Sequence, residues 1–308
     1  LVGDSTNALL AGHSGSEIEV QECFKDIFRR YKNRIVVTCF ASNIARVRSV
    51  AIAARAAGRT VALVGRSLWR NAEIAEACGY LPEFKSFLDE DQVMDAPREN
   101  IVMICTGCQG EARAALARIA GFDHPEVELD EGDTVIFSSR EIPGNEKSIA
   151  KVQNNLIAQG IQVVTVDNAP VHVSGHPAQE ELVQLYQWVR PKLAVPVHGE
   201  LRHQTEHARV AKECQVPHAI IPANGQIIRL GPDKAEVVAE VPVGRLGMDG
   251  KVLRKLDGEA VKRRRKIGFS GVVVVAVALD RRGELASEPQ ISLLGLEDDH
   301  AIEELRGE

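Results

Sequence analysis

The 308-residue sequence has no apolar run approaching the roughly 20 residues that a helix needs to cross a bilayer. The longest candidate, VVVVAVAL at 272–279, has only the length of a strand. The opening residues, LVGDSTNALL, lack the basic segment that precedes the apolar core of a signal peptide. They resemble the middle of a strand, so we expect a segment of a longer protein without membrane attachment.

Paired metal-binding cysteines are also missing. The six cysteines are scattered, mostly inside apolar runs, which favours reduced thiols in a cytoplasmic protein. One C-x-x-C, formed by Cys105 and Cys108, has no second pair that would complete a zinc site. We therefore do not expect a redox or metal role for it.

Acidic residues are absent from one long stretch of a chain whose net charge, −6, otherwise argues against a nucleic-acid partner. Between Ile27 and Ala72 there is no Asp or Glu, and such a stretch of one sign indicates an anionic partner. Its ten basic residues are Arg29, Arg30, Lys32, Arg34, Arg46, Arg48, Arg55, Arg59, Arg66 and Arg70. A second basic cluster, VKRRRKIG at 261–268, looks like a linker.

Apolar runs alternate with helical segments between residues 34 and 168, which predicts an α/β fold with a doubly wound parallel sheet. The runs are RIVVTCFASN (34–43), TVALVGRS (60–67), ENIVMICTG (99–107), DTVIFSSRE (133–141) and IQVVTVDN (161–168). LRHQTEHARVAKEC, farther along, predicts a helix, and GVVVVAVALDRRGELASEPQISLLG predicts a hairpin that starts another small domain.

The loops that follow these strands are small and polar: FASN, VGRS, CTGCQGE and FSSREIPGN. In an open parallel sheet such loops form the ligand crevice, and helix N-termini beneath them favour phosphate. None carries G-x-G-x-x-G or G-x-x-x-x-G-K-[ST], so a nucleotide cofactor bound in those ways is not expected. Each loop alone is also explained by ordinary helix caps and turns.

Six motifs in order, LVGDSTNA, FASNIARV, TGCQGE, SSREIPGNE, HVSGHPAQEEL and PVHGE, resemble the ribonuclease J family. The resemblance implies a β-CASP doubly wound sheet domain inserted in a metallo-β-lactamase αββα domain, here incomplete. The expected divisions are the end of the first metallo-β-lactamase half (1–15), the β-CASP domain (16–172), the returning metallo-β-lactamase part (173–255), a linker (256–266) and the start of a C-terminal α/β domain (267–308). The family's H-x-H-x-D-H motif and other metal ligands are expected upstream of Leu1.

Three residues carry the chemistry that this resemblance implies. His198, at a strand end before Gly199, resembles the family's last metal ligand. Without the resemblance, the alternative is a surface histidine that makes ordinary hydrogen bonds and binds no metal. His176 matches the histidine that contacts the scissile phosphate and protonates the departing oxygen, a task suited to imidazole with its pKa of about 6.5. Asp4 matches the acidic residue that pairs with this histidine. In isolation, Asp4 would be interpreted as a turn-forming residue.

Further residues are expected to bind the phosphates of RNA. Ser174 and Gly175, together with His176, resemble a pocket for the 5′-monophosphate, and Ser42, Asn43, Ser138 and Ser139 are expected to line the RNA channel. His203 and His207, four residues apart on a helix, are interpreted as a solvent-facing pair, because H-E-x-x-H is absent. His172 is interpreted as structural, and Cys108 departs from the family, in which serine is commoner.

The sequence therefore predicts a metal-dependent ribonuclease that hydrolyses single-stranded RNA with metal-activated water, acting as 5′→3′ exonuclease and endonuclease. The resemblance implies two Zn²⁺ per complete site, or Mn²⁺ or Mg²⁺ in their place, and homodimers or homotetramers. This chain alone is expected to be inactive. The alternatives are a non-catalytic RNA-binding or assembly module and a β-CASP nuclease that acts on DNA.

Overall fold

The structure is a computed structural model that describes residues 1–82, 86–231 and 235–296. The chain divides into two compact units, Leu1–Ile221 and Pro222–Glu308. In the first unit the strands are β1 (Val2–Asp4), β2 (Ile35–Thr38), β3 (Thr60–Val64), β4 (Ile101–Cys105), β5 (Thr134–Phe137), β6 (Gln162–Val164), β7 (Leu193–Val197) and β8 (His218–Ala219). The helices are α1 (Glu17–Arg30), α2 (Ile44–Ala56), α3 (Arg66–Ala77), α4 (Glu90–Val93), α5 (Ala115–Ala120), α6 (Glu146–Ala158), α7 (Gln179–Val189) and α8 (Leu201–Glu213).

The larger sheet has the strand order β3-β4-β2-β5-β6, and all of its strand pairs are parallel. Strands β2, β4 and β5 are buried along their whole length, as continuous apolar runs predict for strands covered on both faces. Ile35 and Val37 pack in one core cluster with Phe24 of α1, whereas Val36 packs in another with Leu116 of α5. The prediction of an α/β fold with a doubly wound parallel sheet is confirmed.

A smaller parallel sheet, ordered β1-β7-β8, lies in the same unit. Its core cluster joins Ala194 of β7 to Leu182 and Tyr186 of α7 and to Val210 of α8. In the register of β1 and β7, Asp4 lies opposite Val197. The ends of two strands that are far apart along the chain are therefore neighbours.

In its described residues, 222–231 and 235–296, the second unit contains hairpins and one helix. Its elements are β9 (Gln226–Arg229), β10 (Glu236–Glu240), β11 (Leu246–Asp249), β12 (Val252–Lys255), α9 (Glu259–Ser270), β13 (Val272–Ala276) and β14 (Gln290–Leu294). The antiparallel pair β13–β14 confirms the predicted hairpin. Across the described residues no helix is long and apolar enough to cross a membrane.

Most of the segment 256–266, which is predicted to be a linker, is helical, because it belongs to α9. Gly258 precedes the helix in extended conformation, and Glu, Ala, Lys and Arg, which have high helix propensity, follow it. Charge and glycine favour an unstructured connection, but the same residues also start a helix. The predicted domain borders otherwise stay predictions.

Three of the ten basic residues between Ile27 and Ala72 lie inside the fold, whereas the other seven are exposed. Arg34, Arg46 and Arg59 are all buried. Arg34 donates to Asp133 at 3.1 Å, Arg46 binds Glu17, and Arg59 donates to the carbonyl oxygen of Asn33 at 2.7 Å. Carboxylates outside the stretch, those of Glu17 and Asp133, pair with two of these guanidinium groups, so the buried arginines do not add to the charge available to an anionic partner.

Candidate active site

Asp4 is the last residue of β1, and its carboxylate is fully engaged. Its Oδ1 accepts a hydrogen bond from the backbone N–H of Thr6 at 2.8 Å. Its Oδ2 lies 2.9 Å from Nδ1 of His176 and 3.1 Å from Nδ1 of His198. One carboxylate therefore holds two imidazoles that come from separate parts of the chain.

His198 directly follows β7 in a sharp turn. Its φ of 53° lies in the left-handed region, and Gly199 has a φ of 130°, which favours glycine. The carbonyl oxygen of His198 accepts a hydrogen bond from the N–H of Ser5 at 3.1 Å, and its Nδ1 lies 2.9 Å from Oγ1 of Thr6. The turn is thus fixed against β1 by both backbone and side chain.

His176 lies in the segment that precedes α7, and several hydrogen bonds hold this segment. Asn7, which is buried, donates to Oγ of Ser174 at 2.9 Å and to the carbonyl oxygen of His176 at 3.0 Å. Ser14 donates to the same carbonyl oxygen at 2.6 Å. The N–H of His176 donates to Oγ of Ser174 at 3.2 Å. The position of His176 therefore depends on residues next to β1.

The geometry leaves Nε2 of His176 and of His198 available to bind a metal ion or to donate a hydrogen bond. Both Nδ1 atoms face Asp4, and the two rings are stacked with centroids 5.4 Å apart. Among the described residues neither Nε2 has a hydrogen-bond partner. His198 is 66% exposed and His176 is 41% exposed, so solvent reaches both rings. Asp4 orients the two imidazoles through their inner nitrogens.

The electrostatics of Asp4 favour its ionised form. Partial burial raises its pKa, but hydrogen bonds from the backbone of Thr6 and from His176 lower it more, and the net shift is downward. A permanent negative charge beside two imidazoles favours cation binding. Asp4, His176 and His198 are the three residues of the described chain whose possible ligand atoms lie within 4.8 Å of one another. Two imidazoles and a carboxylate fit the ligand preferences of Zn²⁺.

His207 corrects the interpretation of His203 and His207 as a solvent-facing pair. Its ring is completely buried, with Nδ1 2.9 Å from Oγ of Ser5 and Nε2 2.8 Å from the hydroxyl of Tyr186. Burial lowers its pKa, although Asp4 raises it slightly. His203 instead accepts a hydrogen bond from the N–H of Glu200 at 3.0 Å, at the start of α8. Spacing alone cannot show which side of α8 is covered by β1 and α7.

The buried His207 is expected to stabilise the fold around Asp4. His207→Phe keeps an aromatic ring but leaves two buried hydroxyls, on Ser5 and Tyr186, without this partner. The expected loss in free energy of unfolding is about 1–3 kcal/mol for each unsatisfied hydroxyl. Urea unfolding followed by tryptophan fluorescence measures it, because Trp69 and Trp188 both lie in the first unit.

His203→Gln is the matched control, one turn earlier on the same helix, and it is expected to change stability by less than about 1 kcal/mol. Equal losses for the two variants would contradict the asymmetric burial of the two histidines.

Ser174 lines a cavity of about 380 Å³ together with Asn7 and Ser14, which hydrogen-bond to the backbone of His176. Asn7, His13, Ser14, Arg140 and His172 are among the residues that line it. A Cβ added to Gly175 would meet nothing within 4 Å, so the backbone at that position is open to a ligand. Ser174 therefore lines a cavity of mixed polar and apolar character, and Arg140 supplies a guanidinium group to it that the sequence did not indicate.

Ser42, Asn43, Ser138 and Ser139 are not equivalent in the structure. Ser42 is exposed, and Asn43 caps α2 by accepting from the N–H of Arg46 at 3.1 Å. Ser138 and Ser139 are buried, and their hydroxyls donate to the carbonyl oxygens of Val171 and Cys108. This placement does not support direct RNA contact by Ser138 or Ser139. Strand-end position predicted access, but the neighbouring segments cover both side chains.

Arg46 links the larger sheet to the segment that carries His176. Its guanidinium binds Glu17 with two hydrogen bonds, at 2.7 and 2.9 Å, and donates to the carbonyl oxygens of Ser138 and Val171. It also lies 3.3 Å from Nδ1 of His172. Burial, assisted by this positive charge, lowers the pKa of His172 to about 4. His172 is thus neutral near pH 7 and packs against a buried cation.

The sequence did not indicate several residues that hold the site together. Thr6, Asn7 and Ser14 hydrogen-bond to the histidines or to the backbone beside them. Thr6 and Asn7 follow Asp4 closely in the chain, and this proximity was the one available sign. Their partners lie in distant parts of the chain, so the sequence could not reveal the contacts.

Comparison with known proteins finds matches over most of the chain. A family model described as "Ribonuclease J, beta-CASP domain" matches residues 32–156, and one described as "Zn-dependent metallo-hydrolase RNA specificity domain" matches residues 161–222. A protein named Ribonuclease J from Sinorhizobium meliloti is 46% identical over 296 residues, which are 96% of this chain and 52% of the relative.

Other relatives agree with these matches. Ribonuclease J from Corynebacterium glutamicum is 38% identical over 301 residues, covering 96% of this chain and 42% of the relative. Ribonuclease J from Mycolicibacterium smegmatis is 39% identical over 286 residues, which are 90% of this chain and 50% of the relative. The chain spans about half the length of the curated relatives that it matches. His176 and His198 lie within the second matched region.

Proposed function

The chain belongs to the ribonuclease J family, and on that premise we propose that it forms part of a metal-dependent ribonuclease acting on single-stranded RNA. The architecture, a parallel α/β sheet with the two matched domains, is consistent with the metallo-β-lactamase/β-CASP fold. The reaction proposed is hydrolysis of phosphodiester bonds, with both 5′→3′ exonuclease and endonuclease action.

The observation that carries this proposal is the convergence of Asp4, His176 and His198. Oδ2 of Asp4 lies 2.9 Å from Nδ1 of His176 and 3.1 Å from Nδ1 of His198, although the three residues come from distant parts of the chain. A module that only binds RNA has no need of a carboxylate that aligns two exposed imidazoles. This arrangement favours chemistry over the alternative of a non-catalytic RNA-binding module.

We propose that His198 binds metal through Nε2, because Nδ1 is held by Asp4 and Thr6. When bound, Zn²⁺, or Mn²⁺ or Mg²⁺ in its place, lowers the pKa of a water molecule and polarises the phosphate. A pair of ions needs more ligands than this cluster supplies. The whole protein, about twice as long in the relatives, is proposed to provide them.

His176 is proposed to protonate the oxygen that leaves when the phosphodiester bond breaks. Its Nδ1 is held by Asp4, which leaves Nε2 directed away from the carboxylate and able to donate a proton. The carboxylate of Asp4 fixes the orientation of the imidazole through Nδ1. The hydrogen bonds from Asn7 and Ser14 to the backbone of His176 keep the ring in place.

The cavity beside Ser174 is proposed to receive the 5′-monophosphate of RNA. The hydroxyl of Ser174 and the open backbone at Gly175 offer hydrogen-bond donors, and Arg140 offers a guanidinium group with the fork geometry that suits phosphate. A terminal phosphate held there would align the chain for removal of nucleotides from the 5′ end. Ser42 and Asn43 are proposed to contact RNA farther along, and assembly into dimers or tetramers stays a prediction.

Hydrolysis of labelled single-stranded oligonucleotides tests this function. The metal-loaded longer protein is expected to release nucleotides from 5′-phosphorylated RNA, and far more slowly from matched DNA, because the 2′-hydroxyl distinguishes the two. The 308-residue chain tested separately is expected to show no robust hydrolysis, since its described residues contain one cluster of three possible ligands.

Two outcomes would contradict the proposal. Equal rates on RNA and DNA would favour a nuclease that acts on DNA. RNA binding without hydrolysis by the metal-loaded longer protein would favour the non-catalytic module.

A further inference from the structure

The segment from Arg245 to Lys266, in the second unit, carries a concentrated positive charge. It contains nine basic and three acidic residues within a chain whose net charge is −6. The basic residues are Arg245, Lys251, Arg254, Lys255, Lys262, Arg263, Arg264, Arg265 and Lys266. The hairpin β11–β12 and helix α9 together contain almost all of them. An excess of six positive charges over so short a segment attracts polyanions.

Asp249 joins the helix to the hairpin, because its ionised carboxylate pairs with one arginine of each. Its Oδ2 accepts from Nε of Arg254 at 2.6 Å, and its Oδ1 accepts from Nη1 of Arg264 at 2.7 Å. These hydrogen bonds, with that of Arg264 the stronger influence, lower the pKa of Asp249. Hairpin and helix thus form one surface, and its central carboxylate is already paired with two guanidinium groups.

Three cations on α9 remain available for a ligand. Arg263, Arg265 and Lys266 are exposed, and none has an acidic partner within residues 235–296 of the structure. The buried arginines of the first unit differ, because Arg34 and Arg46 are both matched by carboxylates. Unpaired guanidinium groups on a regular helix suit the oxygens of phosphate.

An exposed aromatic ring lies on the same helix. Phe269 is 94% exposed, and it follows Arg265 by four residues and Lys266 by three. Residues at these spacings are neighbours on a helix surface. Cations beside an exposed ring are the combination with which proteins bind single-stranded nucleic acids, because phosphates pair with the cations and a base stacks on the ring.

We propose that Arg263, Arg265, Lys266 and Phe269, termed here the α9 surface, form a second binding site for single-stranded RNA. The cations bind phosphates of the backbone, and the ring of Phe269 stacks with a base. The choice of RNA among polyanions rests on the proposed function. The site lies outside both matched family regions, which end at residue 222.

Salt-dependent binding tests the site without any hydrolysis. Fluorescein-labelled polyuridine is titrated with the 308-residue chain in EDTA at several KCl concentrations, and fluorescence anisotropy gives the affinity. Each phosphate contact to a single strand contributes about 0.7 to the slope of log affinity against log salt. The triple variant Arg263→Gln, Arg265→Gln, Lys266→Gln is therefore expected to lower this slope by about 2.

A second triple variant, Arg190→Gln, Lys192→Gln, Lys212→Gln, is the matched control. It removes the same charge from exposed positions between α7 and β7 and near the end of α8, none of which is proposed to contact RNA. Its slope is expected to match that of the unaltered chain. Equal decreases in both triple variants, or no RNA binding by the unaltered chain at low salt, would overturn the proposal.

Phe269→Ala tests stacking, and its exposed side chain makes a folding defect unexpected. The expected loss of affinity is roughly five- to a hundredfold at constant salt, the usual contribution of a base stacked on an aromatic ring. Phe122→Ala, which removes another exposed ring, is expected to leave affinity unchanged. An unchanged affinity for Phe269→Ala, or equal competition by polyglutamate or anionic vesicles, would count against RNA as the ligand.

The two proposals fail separately. If the metal-loaded protein hydrolyses RNA but the salt slope does not change in the α9 variant, the second site is wrong and the ribonuclease function stands. If the slope falls as expected but no hydrolysis occurs, the α9 surface stands and the ribonuclease function is wrong.

Discussion

Replacing His198 by alanine in the longer, metal-loaded protein is expected to lower the rate of RNA hydrolysis by about a thousandfold or more. A metal ion contributes several kcal/mol of transition-state stabilisation, and each 1.36 kcal/mol corresponds to a factor of about ten in rate. The free Nε2 of His198 is the proposed ligand atom, since its Nδ1 already contacts Asp4 and Thr6. Metal content, measured by mass spectrometry on the purified protein, is expected to fall together with activity.

The unusual backbone at this position requires a second variant. The φ of His198 is 53°, a conformation that alanine adopts less readily than asparagine. His198→Asn therefore removes the ligand while preserving the turn, and the same losses are expected. His218→Ala, which changes an exposed histidine on β8 of the same sheet, is the control and should retain both metal and activity. Full metal content in both His198 variants would exclude this residue as a ligand.

Asp4→Asn is expected to impair both the chemistry and the metal site, because one carboxylate oxygen contacts both imidazoles. Loss of a positioned general acid typically costs about 10²–10⁴ in rate, and kcat is expected to fall within this range. Loss of a residue that orients a metal-binding histidine typically lowers metal affinity by about 10- to 100-fold. A discontinuous RNA hydrolysis assay, quenched at set times, gives kcat, and competition with a chelator gives the metal affinity.

His176→Gln separates these two effects. The side chain keeps a polar group but cannot act as an acid, so kcat is expected to fall by a similar factor. Metal affinity should stay close to that of the unaltered protein, because the ligand assigned to this chain is His198. If Asp4→Asn lowers kcat and leaves metal affinity unchanged, then Asp4 acts on His176 alone. If neither variant changes kcat, the assignment of His176 as the proton donor is wrong.

The larger sheet was predictable from the sequence because its information is local. Each of β2 to β6 coincides with an apolar run, and the runs are separated by helices that shield the faces of the sheet. A strand buried on both faces needs apolar residues at nearly every position, whichever strands it pairs with. The sequence did not predict α9, because this helix has no apolar stripe to bury. Its charged residues have a high helix propensity, but they lack the periodic pattern that indicates a packed helix.

The identities of Asp4, His176 and His198 also came from the sequence, through short motifs at strand ends. Their roles stay proposals, whereas their proximity is a property of the structure. Parallel pairing of β1 with β7 brings Asp4 beside His198, and hydrogen bonds from Asn7 and Ser14 hold the segment of His176 nearby. No local pattern records which strand pairs with which.

Local structure is specified by the amino-acid sequence, whereas the burial or exposure of polar side chains depends on tertiary packing. The order of residues specifies strands, helices and the chemical groups at their ends, since these depend on neighbours within a few positions. It did not reveal that His207, Arg46 and Ser138 are covered, or that Phe269 and the cations beside it are exposed. Exposure depends on which distant segments pack against a residue, and this is settled when strands and helices from remote parts of the chain come together.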